Sequence, residues 1–469
     1  MKESRLALLL TLGIVLTYWG LTPGAPIVAD SWNPGQGSGA DVSLASAIVD
    51  VPFNRAGAGF AASPRLRDAI LAVQPVILSG LIVLIVFLWS VRLTRDHFAS
   101  IGYAIVAAFC TMIWPYAYLG MELTQSLALL VAAFIALALM PRRSWPLSIL
   151  LGLTAGMALS AEPTSIFLLP AVAFLVIRAY AGQAEESRGR ILVTTVIAAA
   201  LVVANYLAGD SMPGHSSRFI EGELVSDPFA WAVYAVALIG SPGKGLIFYT
   251  PVVLVAAFAL RPAWRNSPQL VIFTALTLGG LTFGLAMGDL WADETWGPRH
   301  LHAAVAPIVL MVAAARGPGK PLGLEYRATL IGLAVIGFLF SFAGVFFHHE
   351  SQARAARSAD RGTMQTIRMD PAWNHVKFNA RLFRIWMTDG PGEEVLWTPE
   401  LHWYYDRPKW APEKMPPVSL SAYAVPQPLL ARQGTRGLFG ISLLLSLLGG
   451  LALIAYSAAR ARSMSAGTR

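Results

Sequence analysis

The stretch Ala69–Val91, AILAVQPVILSGLIVLIVFLWSV, decides the fold class: it carries no charged side chain over a length sufficient to span a bilayer as a helix. It is not an isolated case. Hydrophobic residues make up 55% of the 469 residues and charged residues only 13%, with a mean hydropathy of +0.57, whereas soluble chains carry about 25% charged residues. The chain therefore reads as an all-α polytopic membrane protein. Runs of the same kind near 6–23, 69–91, 101–119, 124–140, 146–161, 163–179, 191–208, 246–260, 269–287, 301–315, 328–347 and 437–457 predict about twelve transmembrane helices.

The connections test that count, because Lys and Arg concentrate in cytoplasmic loops. Lys2 and Arg5, Arg92 and Arg95, Arg142 and Arg143, Arg178 with Arg188 and Arg190, Arg261 and Arg265, Arg316 with Lys320 and Arg327, and Arg460 with Arg462 all fall on one side. The alternation places both termini in the cytoplasm. It also explains the net charge of +8 through bilayer orientation, so no nucleic-acid partner is expected. The single cysteine, Cys110, excludes a disulfide within one chain. The start MKESRLALLLTLGIVLTYWGL resembles a signal peptide, with Ile27-Val28-Ala29 as a passable cleavage site. Its length and its Tyr18-Trp19 pair favour an uncleaved anchor.

Polar residues gather on the other face. Residues 1–347 form a transmembrane core, 348–436 an extracytoplasmic polar cap rich in tryptophan, and 437–469 a final helix with a cytoplasmic tail. Asp41 to Asp50 is expected to form an amphipathic helix on the bilayer surface. Pro228 to Gly240, too short to span, is expected to be re-entrant or interfacial. The spans are nearly free of ionisable groups, which argues against an ion-coupled transporter.

Three clusters remain as candidate sites. Residues 288–301, GDLWADETWGPRHL, hold Asp289, Asp293, Glu294, Arg299 and His300 beside Trp291 and Trp296. Such a set suits a phosphate and a sugar: the cations face the phosphate, the carboxylates accept from hydroxyls, and the indoles cover a sugar ring. It equally suits an anchoring turn whose charges satisfy one another. Ser241 to Pro251, SPGKGLIFYTP, offers Lys244 and a glycine-bared backbone at a helix start, either a phosphate seat or a helix entry with a snorkelling lysine. Tyr249 belongs to the same motif. Asp41, after Gly35-Gln-Gly-Ser-Gly39, is a general base or a helix cap, with Asp30 and Asp50 as rivals. Glu122 and Glu162 line the same cavity or are solvated. His348-His349-Glu350 lacks a third metal ligand, so no metal or other cofactor is expected.

Taken together, Asn205-Tyr206, SPGKGLIFYTP at 241–251, Trp296-Gly-Pro-Arg-His-Leu301 leading to Pro307, and Trp114-Pro-Tyr116 followed by Glu122 resemble bacterial integral-membrane glycosyltransferases of the GT-C superfamily, in the mannosyltransferase-like group. The resemblance runs through most of residues 100–310. It implies transfer of a sugar from a polyprenyl-phosphate carrier to a glycan, lipid or protein acceptor at the outer face of the bacterial cytoplasmic membrane, with inversion. By the same resemblance Asp41 occupies the position of the base, Lys244, Arg299 and His300 stabilise the departing lipid phosphate, and the carrier's tail lies among helices and membrane lipid. Members of that group commonly carry paired acidic residues in the first outer loop, where this chain has Asp41-Val42. Two other classes compete: a non-catalytic scaffold that binds lipid-linked glycan, and a lipid or glycan transporter.

Overall fold

The computed structural model describes residues 2–21, 44–59, 64–119, 123–139, 144–181, 188–209, 227–287, 297–319, 323–346 and 435–466. Among them no strand occurs. The helices, in order, are α1 (Lys2–Gly20), α2 (Leu44–Ala58), α3 (Pro64–Thr94), α4 (His97–Phe109), α5 (Ile113–Leu119), α6 (Leu123–Leu139), α7 (Trp145–Ser160), α8 (Leu169–Tyr180), α9 (Arg188–Gly209), α10 (Pro228–Gly240), α11 (Leu246–Tyr249), α12 (Val252–Asn266), α13 (Pro268–Met287), α14 (His302–Arg316), α15 (Leu324–Phe346) and α16 (Thr435–Ala466). Short 3-10 turns, Pro163–Leu168 and Arg299–Leu301, lead into α8 and α14.

Among the described residues, five segments are long and apolar enough to cross a membrane: Ile70–Thr94, Arg188–Leu207, Pro268–Met287, Leu324–Val345 and Leu444–Ser465. Several other expected spans are shorter or divided. The run at 101–119 breaks into α4 and α5 because Thr111 turns its hydroxyl onto the Ala107 carbonyl at 2.6 Å and accepts the Ile113 N–H at 3.2 Å. Such side-chain bonds satisfy backbone groups at a helix junction, so the break is tolerated inside an apolar region. The run at 246–260 divides at Thr250-Pro251 into α11 and α12. The segment expected to form a surface helix, Asp41 to Asp50, overlaps the start of α2, which begins at Leu44 and continues through Pro52 to Ala58.

At the centre stands α14. Every residue from Ala303 to Ala314 is buried, and the helix packs against α3, α4, α6, α12 and α13. A helix apolar on every side belongs inside a larger structure. Its 15 residues span about 22 Å, short of the ~30 Å hydrocarbon thickness, so α14 is a pillar enclosed by its neighbours. Small residues let other helices approach closely, a packing mode that suits membranes because lipid already solvates apolar side chains. On α7, a Cβ at Gly152 would lie 2.8 Å from the Thr194 carbonyl oxygen of α9, and one at Gly156 2.8 Å from Leu201. The same device joins α1 to α16: a Cβ at Gly450 would meet the Gly13 carbonyl oxygen and the Thr17 amide at 2.6 Å.

The end of the bundle where α14 finishes is tied by charge. Asp96 caps α4 by accepting from Phe98 and Ala99 N–H groups at 3.0 and 3.2 Å. Its carboxylate also accepts from Arg316 at 2.6 Å and from the Ser465 hydroxyl at 3.0 Å, joining α4, α14 and α16. Partial burial alone would raise the Asp96 carboxyl, but the Ala99 N–H, Arg316 and Ser465 together outweigh it and hold the group below its ordinary value.

Candidate functional site

The opposite end, where α14 begins, gathers the polar residues. The turn entering it starts at Gly297, whose φ of +61° lies in the left-handed region that an L side chain enters at a cost. Close approach is a second reason for glycine here: a Cβ would lie 2.8 Å from two ring atoms of Tyr249. The Tyr249 hydroxyl donates to the Gly243 carbonyl at 2.8 Å. One buried aromatic ring therefore joins the SPGKG loop and the GPRH turn, which lie far apart in the chain. Lys244 follows Gly243 directly and Arg299 comes two residues after Gly297, so Tyr249 brings together the two segments that carry these cations.

The SPGKG loop is a tight turn. Gly245 N–H donates to the Ser241 carbonyl at 2.8 Å, and the Lys244 N–H donates to the Ser241 hydroxyl at 3.2 Å. Lys244 is buried, at 6% exposure, so it is folded against protein rather than extended to the surface. The following helix α11 has only 4 residues, too few for a substantial macrodipole. Attraction for an anion must come from the lysine charge, since the Lys244 and Gly245 N–H groups are already engaged by Ser241.

Arg299, His300 and Glu162 form a relay. Arg299 Nε donates to His300 Nε2 at 3.1 Å, and His300 Nδ1 stands 3.5 Å from Glu162 Oε2. An imidazole that accepts at Nε2 carries its proton on Nδ1, the side facing the carboxylate. Glu162 is itself oriented by a capping box on the 163–168 turn: its side chain accepts from the Ser165 N–H while Ser165 Oγ accepts from the Glu162 N–H at 3.0 Å. A glycine notch on α13 seats this turn. Gly280 lies against the Phe167 carbonyl and Gly284 against the Phe167 ring, both so closely that a Cβ at either would collide.

Four further polar residues belong to this end and carry no charge in the sequence to advertise them. Gln125 Nε2 donates to Ser165 Oγ at 2.8 Å, and Ser126 Oγ pairs with His302 Nδ1 at 2.6 Å. The His302 ring packs on Tyr116 with centroids 5.0 Å apart. The available signals were the Thr124-Gln125-Ser126 triplet at the head of an apolar run and the second histidine of Arg299-His-Leu-His302.

Lys244, Tyr249, Arg299, His300 and Glu162 are thus brought together. Asp41, Asp293, Glu294 and Trp296 lie outside the described residues, as do Asp30, Asp289, Trp291, Glu122, His348 to Glu350 and nearly all of the 348–436 segment. Among the described residues no group of three His, Cys, Asp or Glu is placed to hold a metal ion. Chemically, the arrangement offers two cations on segments joined by Tyr249, a carboxylate facing an imidazole, and buried neutral hydrogen-bonding groups. No protein-family model, curated protein or solved structure matches the chain.

Proposed function

We propose that this protein is a GT-C-type glycosyltransferase of the bacterial cytoplasmic membrane, with about twelve spans and both termini cytoplasmic, which moves a sugar from a polyprenyl-phosphate carrier to an acceptor at the outer face. The observation that carries the reading is Tyr249, whose ring meets Gly297 and whose hydroxyl holds Gly243. Through it the segments that carry Lys244 and Arg299 meet at one end of an apolar bundle. Two fixed cations suit a leaving phosphate, whose negative charge grows as the glycosidic C–O bond breaks.

In this mechanism an acceptor hydroxyl attacks the anomeric carbon from the side opposite the carrier. Its proton passes to the Asp41 carboxylate, and the bond electrons leave with the polyprenyl phosphate. Lys244 and Arg299 stabilise the departing charge. His300, bonded to Arg299 and facing Glu162, keeps the guanidinium oriented. Glu162, engaged by Thr164 as well as by its capping box, acts as a positioning residue.

The test compares envelope glycolipids, by mass spectrometry, from cells with and without the protein and from cells expressing Arg299→Ala, Lys244→Ala or Asp41→Asn. A glycan lost on deletion is expected to stay lost in all three, with transfer reduced about 100-fold or more by removal of either cation. A glycan profile unchanged on deletion would refute the reading. Transport of an unaltered lipid-linked sugar, with no new glycosidic bond, would assign the protein to the transporter class.

A further inference from the structure

Behind the charged relay the contacts close into a circuit. Gln125 bonds to Ser165, Ser165 to Glu162, Glu162 faces His300, the chain runs from His300 to His302, His302 bonds to Ser126, and Ser126 adjoins Gln125 on α6. Gln125 Oε1 and His302 Nε2, both in this circuit, are buried and have no hydrogen-bond partner among the described residues, whereas His300 Nδ1 faces Glu162 Oε2 at 3.5 Å. Gln125 is fully buried and His302 is 1% exposed. Buried polar atoms are almost always satisfied, and an exception calls for a missing partner.

The chemistry of the two atoms restricts what that partner is. Gln125 Oε1 only accepts, so the partner must donate to it; His302 Nε2 is a donor or an acceptor according to tautomer. A phosphate oxygen cannot donate to Gln125, and the adjacent Glu162 carboxylate repels an anion. A metal ion would meet Gln125 Oε1 and Glu162 favourably, yet Arg299 stands behind His300 and no three-ligand group is placed to hold one. A neutral hydroxyl both donates and accepts, and it suits both atoms.

We propose that Gln125 and His302 form a hydroxyl-binding subsite for the sugar ring, set deeper in the bundle than the phosphate-binding cations Lys244 and Arg299. The assignment rests on the glycosyltransferase reading for the identity of the ligand, and on the circuit itself for its location. A hydrogen-bonding site of this kind selects for sugar, because an occupant without the matching hydroxyl leaves buried groups unpaired.

The experiment measures equilibrium binding to the purified full chain of a polyprenyl-phosphate hexose, a polyprenyl-phosphate pentose and sugarless polyprenyl phosphate. Gln125→Met and His302→Phe are expected to weaken binding of a sugar-bearing carrier about 10-fold and to leave the sugarless carrier unchanged. Gly450→Ala, which crowds the α1–α16 crossing and leaves Gln125 and His302 with their partners, controls for lost stability and is expected to lower the melting temperature without separating the two kinds of carrier. Equal loss for both kinds overturns the subsite in favour of a structural role. No loss for either assigns the two atoms to an ordered water only.

A parallel arm measures thermal protection by free hexose and pentose. Protection of the wild type that Gln125→Met removes, in a protein that binds no polyprenyl phosphate, keeps the subsite and refutes the carrier. Failure of the wild type to bind any of these probes refutes both.

Discussion

Replacing Gly297 by alanine tests the joint between the two halves of the site. At φ +61° the new side chain forces a left-handed conformation that costs about 1–2 kcal/mol. The added Cβ would also sit 2.8 Å from two atoms of the Tyr249 ring, and that ring cannot retreat easily. It is 1% exposed, and its hydroxyl is bonded to Gly243 at 2.8 Å. Overpacking of this kind costs about 1–3 kcal/mol, so the expected total is about 2–5 kcal/mol. The assay is equilibrium unfolding of the purified chain in mixed micelles as denaturing detergent is raised. Tyr249→Ala and the double variant complete a cycle. Removing the ring removes the clash but not the backbone strain, so the double variant should cost about 1–3 kcal/mol less than the two single changes added together. Costs that add to within about 0.5 kcal/mol would mean that Gly297 and Tyr249 do not press on each other, and the joining of the two loops would fail with them.

Three further outcomes follow from the same packing. Gly284→Ala drives a Cβ into the Phe167 ring and should lower stability by about 1–3 kcal/mol, with Phe167→Ala in the same chain restoring part of the loss in a thermal melt. Gly450→Leu drives a side chain into the Gly13 and Thr17 backbone of α1 and should lower stability by about 1–3 kcal/mol in a thermal melt, whereas an unchanged melt would mean that the two helices do not press together there. Asp96 supplies the pH dependence: its folded carboxyl lies below the ordinary value of about 3.9. The stability it contributes is therefore complete above about pH 4 to 5 and is lost as pH falls through the lowered value. Asp96→Ala should cost about 2 kcal/mol at neutral pH and flatten the acid limb of the melting curve, which an unchanged acid limb would contradict.

Long apolar stretches were legible because hydropathy acts over a whole helix, and the segment 228–240 coincides with α10. Breaks were less legible. The α4–α5 junction is made by the Thr111 hydroxyl, one polar atom in an apolar run, and no composition window registers it. Nor does hydropathy tell a lipid-facing span from an enclosed pillar: α14 is as apolar as its neighbours, and only its burial on every side separates them. At the site, Arg299, His300 and Lys244 stood out because charge is scarce. Gln125, Ser126 and Ser165 did not, since neutral polar residues are common in apolar helices and acquire meaning only through partners brought from other elements. The closeness of Gly297 to Tyr249 is a tertiary fact of the same kind.

The crossing of α1 and α16 at Gly13 and Gly450 has a consequence for biosynthesis. The helix made early and the one that locks onto it are separated by ~400 residues of chain, which at about 5–20 residues per second is roughly 20 to 80 seconds of translation. Through that interval the groove around Gly13 has no α16 to fill it, and the nascent protein depends on lipid or an insertion factor to cover the gap. A ribosome that stalls before α16 emerges leaves an open groove on α1, a mark by which quality control tells a copy lacking α16 from one that has it.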